Sequence, residues 1–413
     1  VARPTSSPTE TIQRDNLGAV LRQVHTHGSV SRSDVVARTG LSRSGVKIIA
    51  ERLAALGLIL ERSPEPSGVP GRPSSVLHAD PYGAVALAFE VSVDSIAAAT
   101  IGLGGRVFQA IRVDRPRIRF RPEDTVADMA SMADRLLGSD AAWDRVVGVG
   151  VAIAGIVRTA DGMVHLAPNL AWHEVPLGEL IATAIGRAAP VFVANEADLG
   201  ARAEHLRGAG IGVDDLVYLH GEVGLGGGII VDGRLLRGAA GYAGEVGHLT
   251  LDPGGRLCGC GSRGCWETEV GEAALLRAAG RGDAPLGRSS VDEVLAEAAR
   301  GVPRALAAMD HIGTWLGVGI AGIVNVFDPR RVVLGGLFGR CAPYLMAAMT
   351  RELEARALPM SRALVDVVPG CLGDTVLLTG AAEAAFEPLL EDPARFAPAP
   401  SSKRIPEPLE VRP

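Results

Sequence analysis

Residues Gly241–Gly271 read GYAGEVGHLTLDPGGRLCGCGSRGCWETEVG. Cys258, Cys260 and Cys265 sit in a glycine-rich, turn-forming segment, and His248 lies upstream of them. One folded loop can therefore gather three thiolates and an imidazole around tetrahedral Zn²⁺, and a Cys₃His set fills every position of a structural site. Gly259, Gly261 and Gly264 give the backbone the freedom to wrap a single ion. A disulfide or idle core cysteines fit less well. Cysteines one residue apart do not bridge easily, the total of five is odd, and no signal-peptide pattern points to an oxidising compartment. Glu245 and Glu267 flank the loop, so a metal-stiffened loop would hold both carboxylates near the second nitrogen of His248, which suits a polyol ligand. For either carboxylate alone, a solvated surface position would be the commoner explanation.

Working outward, 413 residues exceed one ordinary domain and predict two or three folding units. Hydrophobic content of 47%, 21% charged residues and 52 glycines fit a turn-rich soluble α/β protein. The apolar run 312–327 is interrupted by glycine and too short to cross a bilayer, so no membrane partner is expected and the cytoplasm is the default location. The net charge of −6 is unevenly spread. Residues 1–80 hold 10 Lys/Arg against 7 Asp/Glu, and the remainder 31 against 40, so the two regions are expected to meet different partners.

Residues 1–12 are Pro/Ser/Thr-rich and predict a flexible N-terminus; residues 13–80 predict a DNA-binding domain. From Asp15, the spacing of Leu17, Val20, Leu21 and Val24 predicts a helix ending at Gly28, and Val35, Val36 and Leu41 mark a second. Ser42 can cap a third, with Val46, Ile49, Ala50 and Leu53 inward and Arg43, Ser44 and Lys47 outward. This stretch resembles winged helix-turn-helix repressors, with 58–60 and 75–78 as wing strands. Short polar and basic residues at the start of a recognition helix can reach major-groove base edges, giving Ser42, Arg43, Ser44 and Lys47 as candidates. Arg72, on a Pro/Gly tip, could enter a narrow minor groove. A three-helix unit can also serve only packing or dimerisation.

Residues 81–390 alternate strand and helix signals and predict a sheet flanked by helices. Here GEVGH followed by CGCGSRGCWE resembles the zinc and sugar motif of the ROK family of repressors, open reading frames and sugar kinases. The resemblance implies an actin/hexokinase-like two-lobed domain whose zinc is held by His248, Cys258, Cys260 and Cys265. It further implies sugar contacts at Glu245, His248 and Glu267, at Asn169 in HLAPNLAW, and at Asn195 and Glu196, where the kinases have Asn-Asp. Asn169 could instead only cap a turn. The resemblance departs at both phosphate loops. Glu90-Val91-Ser92-Val93-Asp94 replaces an acid followed by Gly-Gly-Thr, and Glu222-Val223-Gly224 replaces Gly-Thr-Gly, so branched or acidic groups stand where backbone N–H groups should approach polyphosphate. Residues 391–413 are Pro-rich and predict a disordered tail.

The expectation is thus a non-enzymatic, sugar-responsive repressor with structural Zn²⁺, binding operator DNA as a homodimer or homotetramer and released by a sugar or sugar phosphate. An active sugar kinase using ATP is the alternative, a constitutive architectural DNA binder the third reading, and corepression stays open beside induction.

Overall fold

The computed structural model describes residues 8–62 and 75–395. At its N-terminal end α1 (Pro8–His27), β1 (Ser29–Ser31), α2 (Arg32–Thr39), α3 (Arg43–Ala55), β2 (Ile59–Arg62) and β3 (Val76–Ala79) form a three-helix unit with an antiparallel sheet of order β1-β3-β2. Ser31 caps α2 by accepting the Asp34 N–H, and Ser42 caps α3 by accepting the Gly45 N–H at 3.1 Å. The unit closes over Leu17, Val20, Leu21, Val24, Val35, Val46 and Leu53. The first helix begins at Pro8 rather than Asp15, inside the segment expected to be flexible. Proline there is no obstacle, because a first-turn residue needs no N–H for the helix ladder. Arg72 lies outside the described residues, as does the tail from 396 onward.

Two five-stranded sheets follow. The first contains β4 (Val85–Val91), β5 (Ser95–Gly102), β6 (Arg106–Asp114), then, past α4 (Pro122–Leu137), β7 (Val146–Ile153). The short strands β8 (Ile156–Arg158), β9 (Met163–Ala167) and β10 (Trp172–Val175) make a separate three-stranded flap, and β11 (Val191–Asn195) completes the first sheet in the order β11-β7-β4-β5-β6. The second contains β12 (Leu216–Gly221), β13 (Leu225–Val231), β14 (Arg234–Leu235), β15 (Arg331–Gly335) and β16 (Asp366–Pro369), in the order β14-β13-β12-β15-β16. Both sheets share one topology: an antiparallel meander of three strands, then two strands parallel to the first. Each sheet forms the centre of one lobe.

The helices Glu196–Arg207 and Val376–Glu391 join the parts. Helix 376–391 lies on β7, where a Cβ at Gly150 would stand 1.9 Å from the Ala381 carbonyl oxygen. It crosses helix 196–207 at Gly380, where a Cβ would stand 2.0 Å from the Leu199 carbonyl oxygen. Its far end touches α1 at Gly18, 2.5 Å from a built Cβ to the Leu390 carbonyl oxygen. Bare glycine at each crossing lets the backbones approach this closely.

Helix Pro303–Phe327 is long and apolar enough to cross a bilayer, yet 61% of its most apolar window is buried, and it packs along helix Gly336–Arg356 in the second core. The latter helix starts directly after β15. Pro343, the eighth residue of this helix, lies past the first turn and leaves the Gly339 carbonyl without its helical N–H partner.

Candidate functional site

A cleft of about 430 Å³ opens between the lobes, within the range of small-molecule sites. All six residues singled out for sugar contact line it. The first lobe contributes Asn169, from the turn between β9 and β10, Asn195, the last residue of β11, and Glu196, the first residue of helix 196–207. The second contributes Glu245, His248 and Glu267 from the cysteine-bearing loop. Asn195 is partly committed: its Oδ1 accepts the Ala197 N–H at 2.8 Å and caps the helix, while its Nδ2 donates to the Gly155 carbonyl at 2.9 Å. One donor and one lone pair remain for a ligand.

Between a 3-10 turn at Val246–His248 and a short helix at Glu267–Val270 the loop is held by two isolated β-bridges, and its shape is set by close backbone approach. Gly264 has φ +69°, and a Cβ there would stand 1.5 Å from the Asp252 carbonyl oxygen. The fold brings His248, Cys258, Cys260 and Cys265 together with ligand atoms within 4.8 Å of one another, a grouping that could hold a metal ion. Cys260 Sγ and Cys265 Sγ are 3.7 Å apart, as are Cys258 Sγ and His248 Nδ1. Two sulfurs bound tetrahedrally at Zn–S distances of about 2.3 Å would lie about 3.8 Å apart, so the donor set fits such an ion; a disulfide would need about 2 Å. Among the described residues no disulfide forms, and all five cysteines are free. With Nδ1 turned to the sulfurs, His248 Nε2 faces the cleft, 3.7 Å from Glu245 Oε2. Glu267 Oε1 accepts from Cys258 at 2.8 Å. Burial raises the Glu245 carboxyl above its usual range.

The cleft holds residues that the motifs did not single out. Leu257, 64% exposed, gives it an apolar rim, and Arg256 and Arg277 add two guanidinium groups. On its floor stand Glu196, His220 and Glu222. Burial, followed by repulsion from Glu222 and Glu90, pushes the Glu196 carboxyl well up; burial, with Glu90 and Asp94, pushes Glu222 up to about 7. Burial alone drives His220 down to about 4, so its ring is neutral.

Beyond this floor a side pocket of about 100 Å³ continues between the lobes. Salt bridges cross it: Arg117 pairs with Asp94 at 3.0 Å and Glu272 at 2.7 Å, and Arg288 with Asp374 at 2.8 Å. Arg112 donates to Ser95 at 2.6 Å and reaches Glu90 at 3.4 Å. Two of the residues read as departures from a phosphate cradle, Asp94 and Glu222, line this space beside Glu90, while Val93 lines the larger cleft.

On the N-terminal unit Arg43, Ser44 and Lys47 are exposed along the start of α3, and Lys47 lies 3.7 Å from Glu51. The Ser42 hydroxyl is committed to the cap. Ile48, 65% exposed on the same face, was not singled out; reading that face for polar groups passes over it, although an apolar side chain can meet a thymine methyl.

A buried network ties this unit to the lobes. His25 Nδ1 accepts the Gly104 N–H at 3.0 Å, and its Nε2 lies 2.9 Å from Glu383 Oε2 and 2.8 Å from Arg207 Nη2. Arg207, the last residue of helix 196–207, donates to Glu383 at 2.8 Å and to the His25 and Thr26 carbonyls at 2.7 and 3.0 Å. Burial raises the Glu383 carboxyl, but His25 and Arg207 outweigh it and hold it far below the usual carboxylate range. Glu387 receives Arg22 from α1 at 2.7 Å and Arg202 from helix 196–207.

Comparison with known proteins matches residues 86–387 to the model of the ROK family. The xylose repressor of Bacillus subtilis (strain 168) is 26% identical over 389 residues, covering 92% of this chain and 97% of that repressor. The glucokinase of Streptomyces coelicolor is 31% identical over 315 residues, covering 72% of this chain and 96% of the kinase. Among solved structures, a ROK family transcriptional regulator homologous to the Escherichia coli Mlc protein superposes with a TM-score of 0.76 at 28% identity, covering 92% of this chain and 98% of that one.

Proposed function

This chain belongs to the ROK family, and we propose that it is a transcriptional repressor whose hold on operator DNA is released by a sugar bound between its lobes. The observation that carries the reading is one of extent. Likeness to a repressor runs over 92% of the chain, whereas likeness to a glucokinase of comparable score covers 72%. The salt-bridged side pocket argues the same way. At about 100 Å³ it is smaller than ordinary small-molecule sites, and Asp94 and Glu222 oppose a triphosphate. An active sugar kinase is the weaker alternative.

In this reading the exposed face of α3 enters the major groove through Arg43, Ser44, Lys47 and Ile48, with Ser42 fixing the helix start and Arg72 reaching the minor groove. A palindromic operator would be met by a dimer or a dimer of dimers, since two-fold pairing doubles the contacts of one small unit. His248, Cys258, Cys260 and Cys265 would hold one structural Zn²⁺, whose service is to fix the loop carrying Glu245 and Glu267. The sugar, or its phosphate, would be held by Asn169, Asn195, Glu196, Glu245, His248 and Glu267. The protein would act in the cytoplasm.

Helix 196–207 supplies a route from ligand to DNA. Its first residue stands in the cleft and its last holds His25 and Thr26 at the end of α1. A ligand that touches both lobes favours their closure, closure displaces a rigid helix, and the helix carries the seat of α1 with it. A sugar releases operator only if it binds the DNA-free arrangement more tightly, and a coupling of about 1–3 kcal/mol corresponds to roughly 5- to 150-fold. The test is operator affinity measured with and without a panel of pentoses, hexoses, amino sugars and their phosphates. One of them should weaken binding, and Glu267→Gln should bind operator normally yet ignore that sugar. An operator dissociation constant that no sugar changes would refute the sensor reading.

A further inference from the structure

The floor of the cleft poses a charge problem. Glu196 enters from the start of helix 196–207, His220 from β12 and Glu222 from the turn after it, and one ligand atom of each lies within 4.8 Å of the others. Glu196 is 8% exposed, and its Oε2 is buried without any hydrogen-bond partner. Buried carboxylate oxygens ordinarily accept hydrogen bonds, and a buried carboxylate beside a half-buried one favours a counter-charge. Nearby cations are committed elsewhere: Arg112 to Ser95 and Glu90, Arg117 to Asp94 and Glu272. His220 engages the Tyr218 hydroxyl through Nδ1 at 2.9 Å, which leaves Nε2 as its remaining nitrogen.

We propose that Glu196, Glu222 and His220 hold a hard divalent cation, Mg²⁺ or Mn²⁺, on the floor of the cleft, separate from the Cys₃His loop. Two carboxylate oxygens and one imidazole suit such an ion better than a thiolate-seeking one. Three protein donors on one side leave the remaining positions of an octahedron open toward the cleft, where water or ligand hydroxyls complete the sphere. Donors about one such ion stand roughly 3 Å apart when adjacent, so the side chains draw in slightly on binding. The site explains why an acid is useful at position 222, where a phosphate-binding loop would need a small neutral residue. The proposal does not depend on the repressor reading.

The experiment uses full-length protein loaded with zinc, so that the thiolates are occupied, and titrates Mn²⁺ by electron paramagnetic resonance and calorimetry. One Mn²⁺ per chain is expected, with a rise in melting temperature. Glu196→Gln and Glu222→Gln should each weaken Mn²⁺ by more than about tenfold, since losing a direct ligand costs at least as much as losing its supporting partner. Unchanged zinc content in both variants shows that they are folded. Wild-type protein that takes up no Mn²⁺, or equal uptake by wild type and both variants, overturns the site. So does a third outcome: no Mn²⁺ uptake, but binding of an amine-bearing sugar that Glu222→Gln abolishes, which would assign the floor to an ammonium group.

Discussion

Cys260 is the most exposed of the loop's cysteines, yet its sulfur is 3.7 Å from that of Cys265. Cys260→Ser removes one of four ligands, so elemental analysis should show the zinc content falling from one per chain to a small fraction, with weaker sugar binding alongside because Glu245 and Glu267 lose their support. Zinc-free wild-type protein purified without chelator would contradict this. On α3, Arg43→Ala should cost roughly 1–3 kcal/mol and relax preference at one base if the contact is bidentate to guanine. Lys47→Ala should instead weaken all sequences alike and flatten the salt dependence. Gel-shift titrations over several operators and salt concentrations separate the two; unchanged affinity in both would remove α3 from the interface. The grouping of His248, Cys258, Cys260 and Cys265 was legible in the sequence because all four fall within one short, glycine-rich loop. The Glu196–His220–Glu222 group was not, because β12 and a helix end bring it together and no spacing announces it.

Among the elements, helix 196–207 escaped the sequence reading for a physical reason. Eight of its residues are buried, among them Glu196, Asp198 and Glu204, so it shows no apolar stripe against a polar face. Helix 376–391 is buried on most sides and hides its period in the same way. The strands 85–91, 95–102 and 106–114 are easier to read, since short turns separate them. Glu383 on helix 376–391 is the centre of the seat for α1. Glu383→Gln leaves Arg207 buried without its carboxylate, and breaking such a pair costs about 3–5 kcal/mol. Denaturant unfolding at pH 7 should show the loss. The sign with pH follows from the depressed carboxyl: its stabilisation is present above the unfolded value of 4.5 and fades as pH falls through the folded one. The gap between wild type and variant should therefore narrow below about pH 4.5. Equal stability at pH 7 would mean that the network does not seat α1.

For the whole molecule, two sheets of the same strand order face each other across a cleft, an arrangement suited to closing on a ligand. A coupled assay with ATP and each sugar should give no turnover; rates of about 1–100 per second, ordinary for kinases, would overturn the repressor-only reading. Linkage also requires that operator DNA weaken the sugar by the same factor by which the sugar weakens operator, which calorimetry with and without DNA can check. The seating of α1 has a consequence in time. Helix 376–391 is made hundreds of residues after α1, and at about 5–20 residues per second that interval is on the order of tens of seconds. Throughout it the N-terminal unit emerges from the ribosome with no partner for His25, Arg22 or Gly18. On the function proposed above, a nascent chain would carry its operator-binding unit before that unit answers to sugar, and control would begin only when helix 376–391 docks.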